Sequence, residues 1–367
     1  MFQRAGIYVT FLVVGTAGLK ADFYSITDLG TLGGSFSATN LGGNSLNNNG
    51  QAVGYSYLPG DTAYHAFLYS GGGIADLGTL GGTNSSAYGV NLTGQVVGNS
   101  YLTGDTIFHA FQDAAGNMAD LGTLGGSNSN AFSINPSGQI VGYADLTGDA
   151  AFHAFLYSAG NMMDLGTLGG STSSAQGINT AGQVVGSSDI TSDTASHAFL
   201  YSGGNMTDLG TLGGSDSNAF AINDAGQITG WANDAGQNAQ AFLYSGGTMT
   251  GLGTLGGSTS EAFDINSSGE VVGYAATAGD LQFDAFAYFG GTMYDLNSFL
   301  PPGSGWVLQS ATGINDAGQI TGYGLHNGNL AVFLMSPPSV VPEPGYSVLL
   351  VLSIAVIAVQ KCRANLG

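Results

Sequence analysis

The chain has 367 residues, 63 of them Gly, 24 Asp or Glu and only four Lys or Arg, for a net charge of −20. Charged residues make up 8% of the chain, against roughly 25% in an ordinary soluble domain. All four cations (Arg4, Lys20, Lys361, Arg363) lie in the outermost segments, so residues 22 to 340 carry none. This excludes nucleic acid as a partner, because phosphates need cations against them, and it excludes a site that clamps phosphate or carboxylate through Arg or Lys.

Residues 1–21 read as a secretory signal peptide. Arg4 opens it, Ala5 to Gly18 is an apolar core, and Ala21 is a small residue at the cleavage point. An N-terminal anchor that is never cleaved is the alternative. The only cysteine, Cys362, lies in the tail, so the body of the chain has no disulfide and must be held by its core or by repetition.

Repetition dominates residues 22–337. Asp-Leu-Gly-Thr-Leu-Gly-Gly begins at Asp28, Asp76, Asp120, Asp164 and Asp208, loses its Asp at Gly251, and shortens to Asp295-Leu296-Asn297. The intervals are 48, 44, 44, 44, 43 and 44 residues. Gly-Gln recurs before an apolar run from Gly50-Gln51 to Gly318-Gln319, with Gly269-Glu270 as a variant. His-Ala-Phe starts at His65, His109, His153 and His197, then becomes Gln240-Ala241-Phe242, Asp284-Ala285-Phe286 and Ala331-Val332-Phe333. Each marker gives seven copies.

One copy reads as four strands: Asn117 to Leu121, Asn130 to Asn135, Gln139 to Ala144 and His153 to Ser158, with Gly122 to Ser129 as a loop. Four short strands in about 44 residues is the pattern of a propeller blade. The expected fold is therefore all-β, a seven-bladed β-propeller. The body begins with a lone first strand, Phe23 to Leu29, and the seventh copy ends at Leu330 to Ser336 without one. The N-terminal strand is thus expected to complete the last blade and close the ring, which removes exposed edges. An open β-solenoid is the alternative, although a solenoid would carry a cap at each end.

Residues 338–367 hold Pro342-Glu343-Pro344, an apolar run from about Tyr346 to Val359, then Lys361 and Arg363. The run predicts a single hydrophobic helix, with its positive end on the cytoplasmic side. Pro-Glu-Pro, helix and basic tail together resemble the PEP-CTERM sorting signal. That resemblance implies recognition by an exosortase-type enzyme, a surface or extracellular location on a bacterium, and association with exopolysaccharide or biofilm. A plain tail anchor is the alternative. The phrases DLGTLGGS, GQIVGY and HAFLYS resemble the HAF-repeat family of extracellular proteins over about residues 23 to 336, and this resemblance brings no catalytic motif.

Candidate chemistry is repeated rather than singular. His65, His109, His153 and His197 each follow an acid by four residues: Asp61, Asp105, Asp149 and Asp193. A ring of metal or proton-transfer sites is one reading. The other is a structural hydrogen bond between His and a loop carboxylate, repeated with the blade; catalysis needs one asymmetric constellation. The same four Asp, with Asp280, are candidate ligands for calcium, the one cofactor these oxygen-rich loops would suit. Divergent stretches are where a unique site would sit: Trp231 to Asp234, Asp280 to Asp284, Trp306 and His326. The expectation is a noncatalytic secreted or surface-anchored matrix scaffold, touching the membrane only through its C-terminal helix. The alternatives are a calcium- or carbohydrate-binding adhesin, then a secreted polysaccharide-active enzyme.

Overall fold

A computed structural model describes residues 23–40 and 42–338. Ala21, Pro342, Glu343, Pro344 and the expected C-terminal helix lie outside the described residues. Among the described residues no helix is long and apolar enough to cross a membrane.

Seven four-stranded antiparallel sheets follow one another along the chain and form a seven-bladed β-propeller. In the third blade the strands run Gly125–Ile134, Ile140–Leu146, Phe152–Ser158 and Asn161–Asp164, from innermost to outermost. The Asn-Met-x-Asp strand of each copy is therefore the outermost strand of the preceding blade. The ring closes as the repeat phase predicts. Ser25–Asp28 pairs antiparallel with Asn329–Ser336, Ser25 opposite Ser336 and Asp28 opposite Phe333, so the first strand of the body finishes the last blade.

The His-Ala-Phe phrase splits its side chains between environments. Phe155 is fully buried and packs with Val97 and Ala110 of the preceding blade. Ala154 is equally buried, but against Ala175 and Phe199 of the following one. The equivalents Phe67, Phe111, Phe199, Phe242, Phe286 and Phe333 are all at 0% exposure. Each blade is thus covered on both faces, which is why its strands are apolar on both sides. At about 1.5–3 kcal/mol per buried large side chain, these inter-blade layers hold the ring together without disulfides.

The inner strands correct the expected boundaries. Gly125 to Ser129, read from sequence as loop, continues the inner strand to ten residues, with register shifts between Gly125 and Ser129 and between Ala131 and Ser133. The second shift is a β-bulge at Phe132, repeated in blades 2 and 4 to 7. A bulge tightens the local twist and re-aims a side chain. It also presses the inner strand against its neighbour. A Cβ on Gly142 would run into the carbonyl of Asn130, which is why the Gly of GQIVGY recurs.

The first blade departs from this pattern. Its inner strand is reduced to Ser37–Ala38, and Asn40, Gly42 and Gly43 of the longer 48-residue interval go into the axial channel. Asn40 Nδ2 donates to the carbonyl of Ala87 in blade 2 at 2.8 Å. A Cβ on Gly42 would stand 3.0 Å from Gln176 of blade 4 and 3.2 Å from the ring of Phe220 of blade 5. Thr39 accepts a 2.8 Å hydrogen bond from Thr312 of blade 7. The insert therefore crosses the axis and plugs the channel.

Candidate functional site

The repeated His lie at the rim, each bound to a carboxylate. His65 Nδ1 lies 2.8 and 2.9 Å from the two oxygens of Asp76. His109 with Asp120, His153 with Asp164 and His197 with Asp208 repeat that contact at 2.8–3.0 Å. A fifth pair, His326 with Asp28 at 2.9 Å, spans the closure of the ring. The carboxylate that holds each His is thus the Asp of Asp-Leu-Gly, eleven residues on, not the loop Asp four residues before. The same Asp76 oxygen also accepts the N–H of Gly78 at 2.7 Å. Blades 5 and 6 lose the pair: Gln240 stands with Gly251, and Asp284 stands with the retained Asp295. Burial raises the Asp284 carboxyl above the usual range, and the facing Asp295 adds to it.

Asp61, Asp105, Asp149 and Asp193 have a different task. Each has a left-handed backbone, φ 52° to 56°, and each accepts a backbone N–H across the blade, from Ser35, Thr83, Ser127 and Ser171, at 2.6–2.8 Å. Asp280 does the same for Ser258. For Asp149 the Ser127 hydroxyl and N–H hold the carboxyl below its ordinary value. Among the described residues no three His, Cys, Asp or Glu side chains gather where one metal ion could reach them.

The axis carries a group that sequence reading missed. The Gly-Gln marker is the end of a five-residue turn, Asn-x-x-Gly-Gln. In Asn135 to Gln139, the Asn135 N–H donates to the Gln139 carbonyl and the Gly138 N–H donates back to Asn135, both at 3.0 Å. Gly138 supplies the positive φ of 81° this needs. Asn135 Oδ1 accepts the N–H groups of Ser137 and Gln139. Its Nδ2 donates to the backbone carbonyl of Asn179 in the next blade at 3.1 Å. The step recurs from Asn47 to Asn91, Asn91 to Asn135, Asn179 to Asn223, Asn223 to Asn266 and Asn266 to Asn315, and closes from Asn315 to Asn47, at 2.8–3.3 Å. Seven side chains thus link seven blades in one cycle. The signal was an Asn four residues before Gln or Glu in every copy.

Inside this cycle lies a cavity of about 210 Å³. Its mouth is the Asn turns, with Asp224 and Asp316 on the rim. Below them comes a collar of Leu46, Val90, Ile134, Ile178, Ile222, Ile265 and Ile314. The next position along the inner strands is Ser45, Gly89, Ser133, Gly177, Ala221 and Gly313 in six blades, and Asp264 in the sixth. Deeper still are the bulged Phe132, Phe220 and Phe263 with Tyr88, and the insert of blade 1. Phe132 meets Tyr88, and Phe263 meets Phe220, at 5.0 and 5.2 Å between ring centres. The cavity is therefore a funnel backed by the plugged channel. Asp264 is 6% exposed. Its two oxygens accept the N–H groups of Ile265 and, across the blade boundary, Ile314, each at 2.8 Å. Burial pushes its carboxyl up to about 7, against the pull of those two N–H groups.

The other divergent positions form no second constellation. Trp306 stacks on His326, ring centres 4.5 Å apart and planes within 2°. Asp234 accepts the N–H groups of Asn238 and Gly236, which hold its carboxyl below the ordinary value.

No family model matches the chain, and no curated protein matches it. Among solved structures, the fold is similar to YCF48 bound to a D1 peptide, with a TM-score of 0.51 at 12% identity over 89% of this chain and 99% of that one. TolB from Acinetobacter baumannii aligns with a TM-score of 0.46 and 12% identity over 78% of this chain, which spans 63% of TolB. The Aleuria aurantia lectin in complex with alpha-methyl-L-fucoside aligns at 0.33 and 12% identity, over 70% of this chain and 95% of that one. At such identities the likeness is one of β-propeller fold.

Proposed function

We propose that this protein is a noncatalytic scaffold of the extracellular matrix or biofilm of a bacterium, carried out through its signal peptide and held or released at the surface by its PEP-CTERM-like tail. The observation that supports this best is the use of the His. Four are tied to carboxylates in one repeated contact and the fifth, His326, reaches Asp28 from a different strand, an arrangement suited to bracing blades, whereas a catalytic His serves one asymmetric site. The absence of Lys and Arg from residues 22 to 340 leaves an anionic ring, whose companions are cations and neutral or cation-bridged polysaccharide.

The test is deletion of the gene in its native bacterium. Matrix mass and polysaccharide retention should fall and should return with the full chain, but not with a chain whose Pro342, Glu343 and Pro344 are replaced by Ala. Unchanged matrix in the deletion strain would sink the scaffold reading. A carbohydrate-binding adhesin is the second reading. It is favoured by the half-buried cluster of Phe36, Tyr55, Tyr57 and Tyr64, whose ring centres lie 5.2–6.5 Å apart at one edge of blade 1 and offer aromatic faces. For its calcium-dependent form, thermal melting with and without millimolar calcium decides: a specific site must raise the midpoint.

A further inference from the structure

The axial funnel breaks the symmetry of the ring at one residue, and that residue is a buried acid. Six blades place Ser, Gly or Ala where blade 6 places Asp264. Small residues there let adjacent inner strands pack closely, since a Cβ on Gly89 or Gly177 would stand 2.8 Å from a carbonyl of the next blade; a carboxylate there must be neutralised. Burying a charge is costly unless it is paired, and the chain offers no Lys or Arg between residues 22 and 340. The two N–H groups that reach Asp264 take one position on each oxygen. A carboxylate has about four lone-pair sites, so acceptor capacity remains, and the group lines the cavity.

The surroundings narrow what could use that capacity. A calcium ion takes six to eight oxygen ligands, typically with several carboxylates, and no three acidic or His side chains converge among the described residues. The collar above Asp264 is wholly aliphatic. At about 210 Å³ the funnel lies below the roughly 300–1,000 Å³ of sites for drug-sized ligands. It suits one narrow group with an apolar stem and a cationic head.

We propose that the axial funnel binds a primary alkylammonium group, its stem against the collar of Val90, Ile134 and Ile265 and its N–H donors on the Asp264 carboxylate. The ammonium supplies the positive charge the ring lacks, in a charge-assisted hydrogen bond. The rim carboxylates Asp224 and Asp316 attract the cation to the mouth. Two sources carry this group, a small free amine and a lysine side chain of a partner protein. This inference does not rest on the scaffold reading, since binding is read on the purified chain and matrix mass in cells.

Calorimetric titration of the full chain tests it with n-butylammonium, with butyrate as the stem-matched anion, with tetramethylammonium as a cation lacking N–H donors, and with a capped Gly-Lys-Gly peptide. Butylammonium should bind, and butyrate and tetramethylammonium should not. Asp264→Ser, which installs the residue of blades 1 and 3, should weaken butylammonium at least tenfold without lowering the melting temperature of the free protein. Asp264→Gly, as in blades 2, 4 and 7, should do the same and guards against a folding defect in the first variant. Peptide binding that Asp264→Ser abolishes points to a partner's lysine, and butylammonium binding alone points to a free amine; either supports the proposal. Failure of both to bind, equal binding by the Ser and Gly variants, or displacement of the amine by equimolar calcium would overturn it.

Discussion

Two rings of polar contacts run around this propeller, and they are kept to different degrees. The axial ring of Asn is present in all seven blades, whereas the rim pair of His and Asp is present in five. The difference follows from burial. Asn135 is 1% exposed, and removing it would leave carbonyl and N–H groups unpaired inside the molecule, at about 1–3 kcal/mol for each unpaired group. The rim Asp are 38–43% exposed in their side chains, where water replaces a lost partner and an ion pair is worth about 0–1 kcal/mol. Where the rim pair is lost, the His changes in both blades and the Asp in one, Gln240 standing with Gly251 and Asp284 with the retained Asp295.

The largest expected effect lies just inside the axial ring. An acid whose carboxyl is raised from the ordinary value to about 7 binds more protons folded than unfolded between about pH 4 and pH 7. Its contribution to stability is therefore greatest below that window and falls as pH rises through it. A rise of about 3 units corresponds to about 4 kcal/mol. Urea unfolding of Asp264→Ser and of the parent chain, compared at pH 4 and pH 7.5, should show the variant gaining that much relative stability at the higher pH. A difference independent of pH would place the Asp264 carboxyl in the ordinary range and remove its claim on a cation.

Next in size is the ring itself. Asn135→Ala removes the acceptor for two turn N–H groups and the donor to Asn179, and should cost about 3 kcal/mol by urea midpoint. Asn135→Asp keeps the acceptors and loses the donor, so it should cost less than Ala where the carboxyl is protonated and more where it is ionised. A cost below about 1 kcal/mol for the Ala variant would show that the cycle adds no more than an ordinary exposed pair.

A smaller effect of the opposite sign is expected at Asp113. It is 2% exposed, and its Oδ2 has no hydrogen-bond partner. Blades 1, 3, 4, 5 and 6 hold Tyr69, Tyr157, Tyr201, Tyr244 and Tyr288 at this position. Asp113→Tyr removes an unpaired buried oxygen and restores the ring that packs between blades, for a gain of about 1–3 kcal/mol. A loss of stability would mean that blade 2 has relaxed around the smaller residue.

The contrast between the two rings also explains what could be read from the sequence. The seven copies and the noncovalent closure were legible, because Phe23 to Leu29 and Leu330 to Ser336 are complementary fragments of one repeat. The partner of His65 was not. Asp61 is four residues away but turns back on a left-handed backbone to Ser35, while Asp76 reaches His65 from the neighbouring strand, where Phe67 stands opposite Asp76. Cross-strand neighbours follow from register, not from spacing. The Asn ring escaped because a neutral amide announces no chemistry, although its recurrence before every Gly-Gln was visible. The 48-residue interval was visible, but nothing in Asn40, Gly42 or Gly43 said that these residues would turn inward.

The smallest expected effect is at the rim, and it separates the repeated pairs from the one that joins the ends. His153→Ala removes a contact between side chains 19% and 41% exposed and should cost no more than about 1 kcal/mol, less at high salt. His326→Ala should cost more. That ring also stacks on Trp306, and its partner Asp28 belongs to the N-terminal strand, so the contact ties together residues 298 apart in sequence. Loosening it frees the strand whose pairing with Asn329–Ser336 closes the propeller. Hydrogen exchange should therefore show faster opening of Ser25–Asp28 in His326→Ala and no change there in His153→Ala. Equal exchange in both variants would mean that backbone pairing alone holds the closure, and that the fifth His is worth no more than the other four.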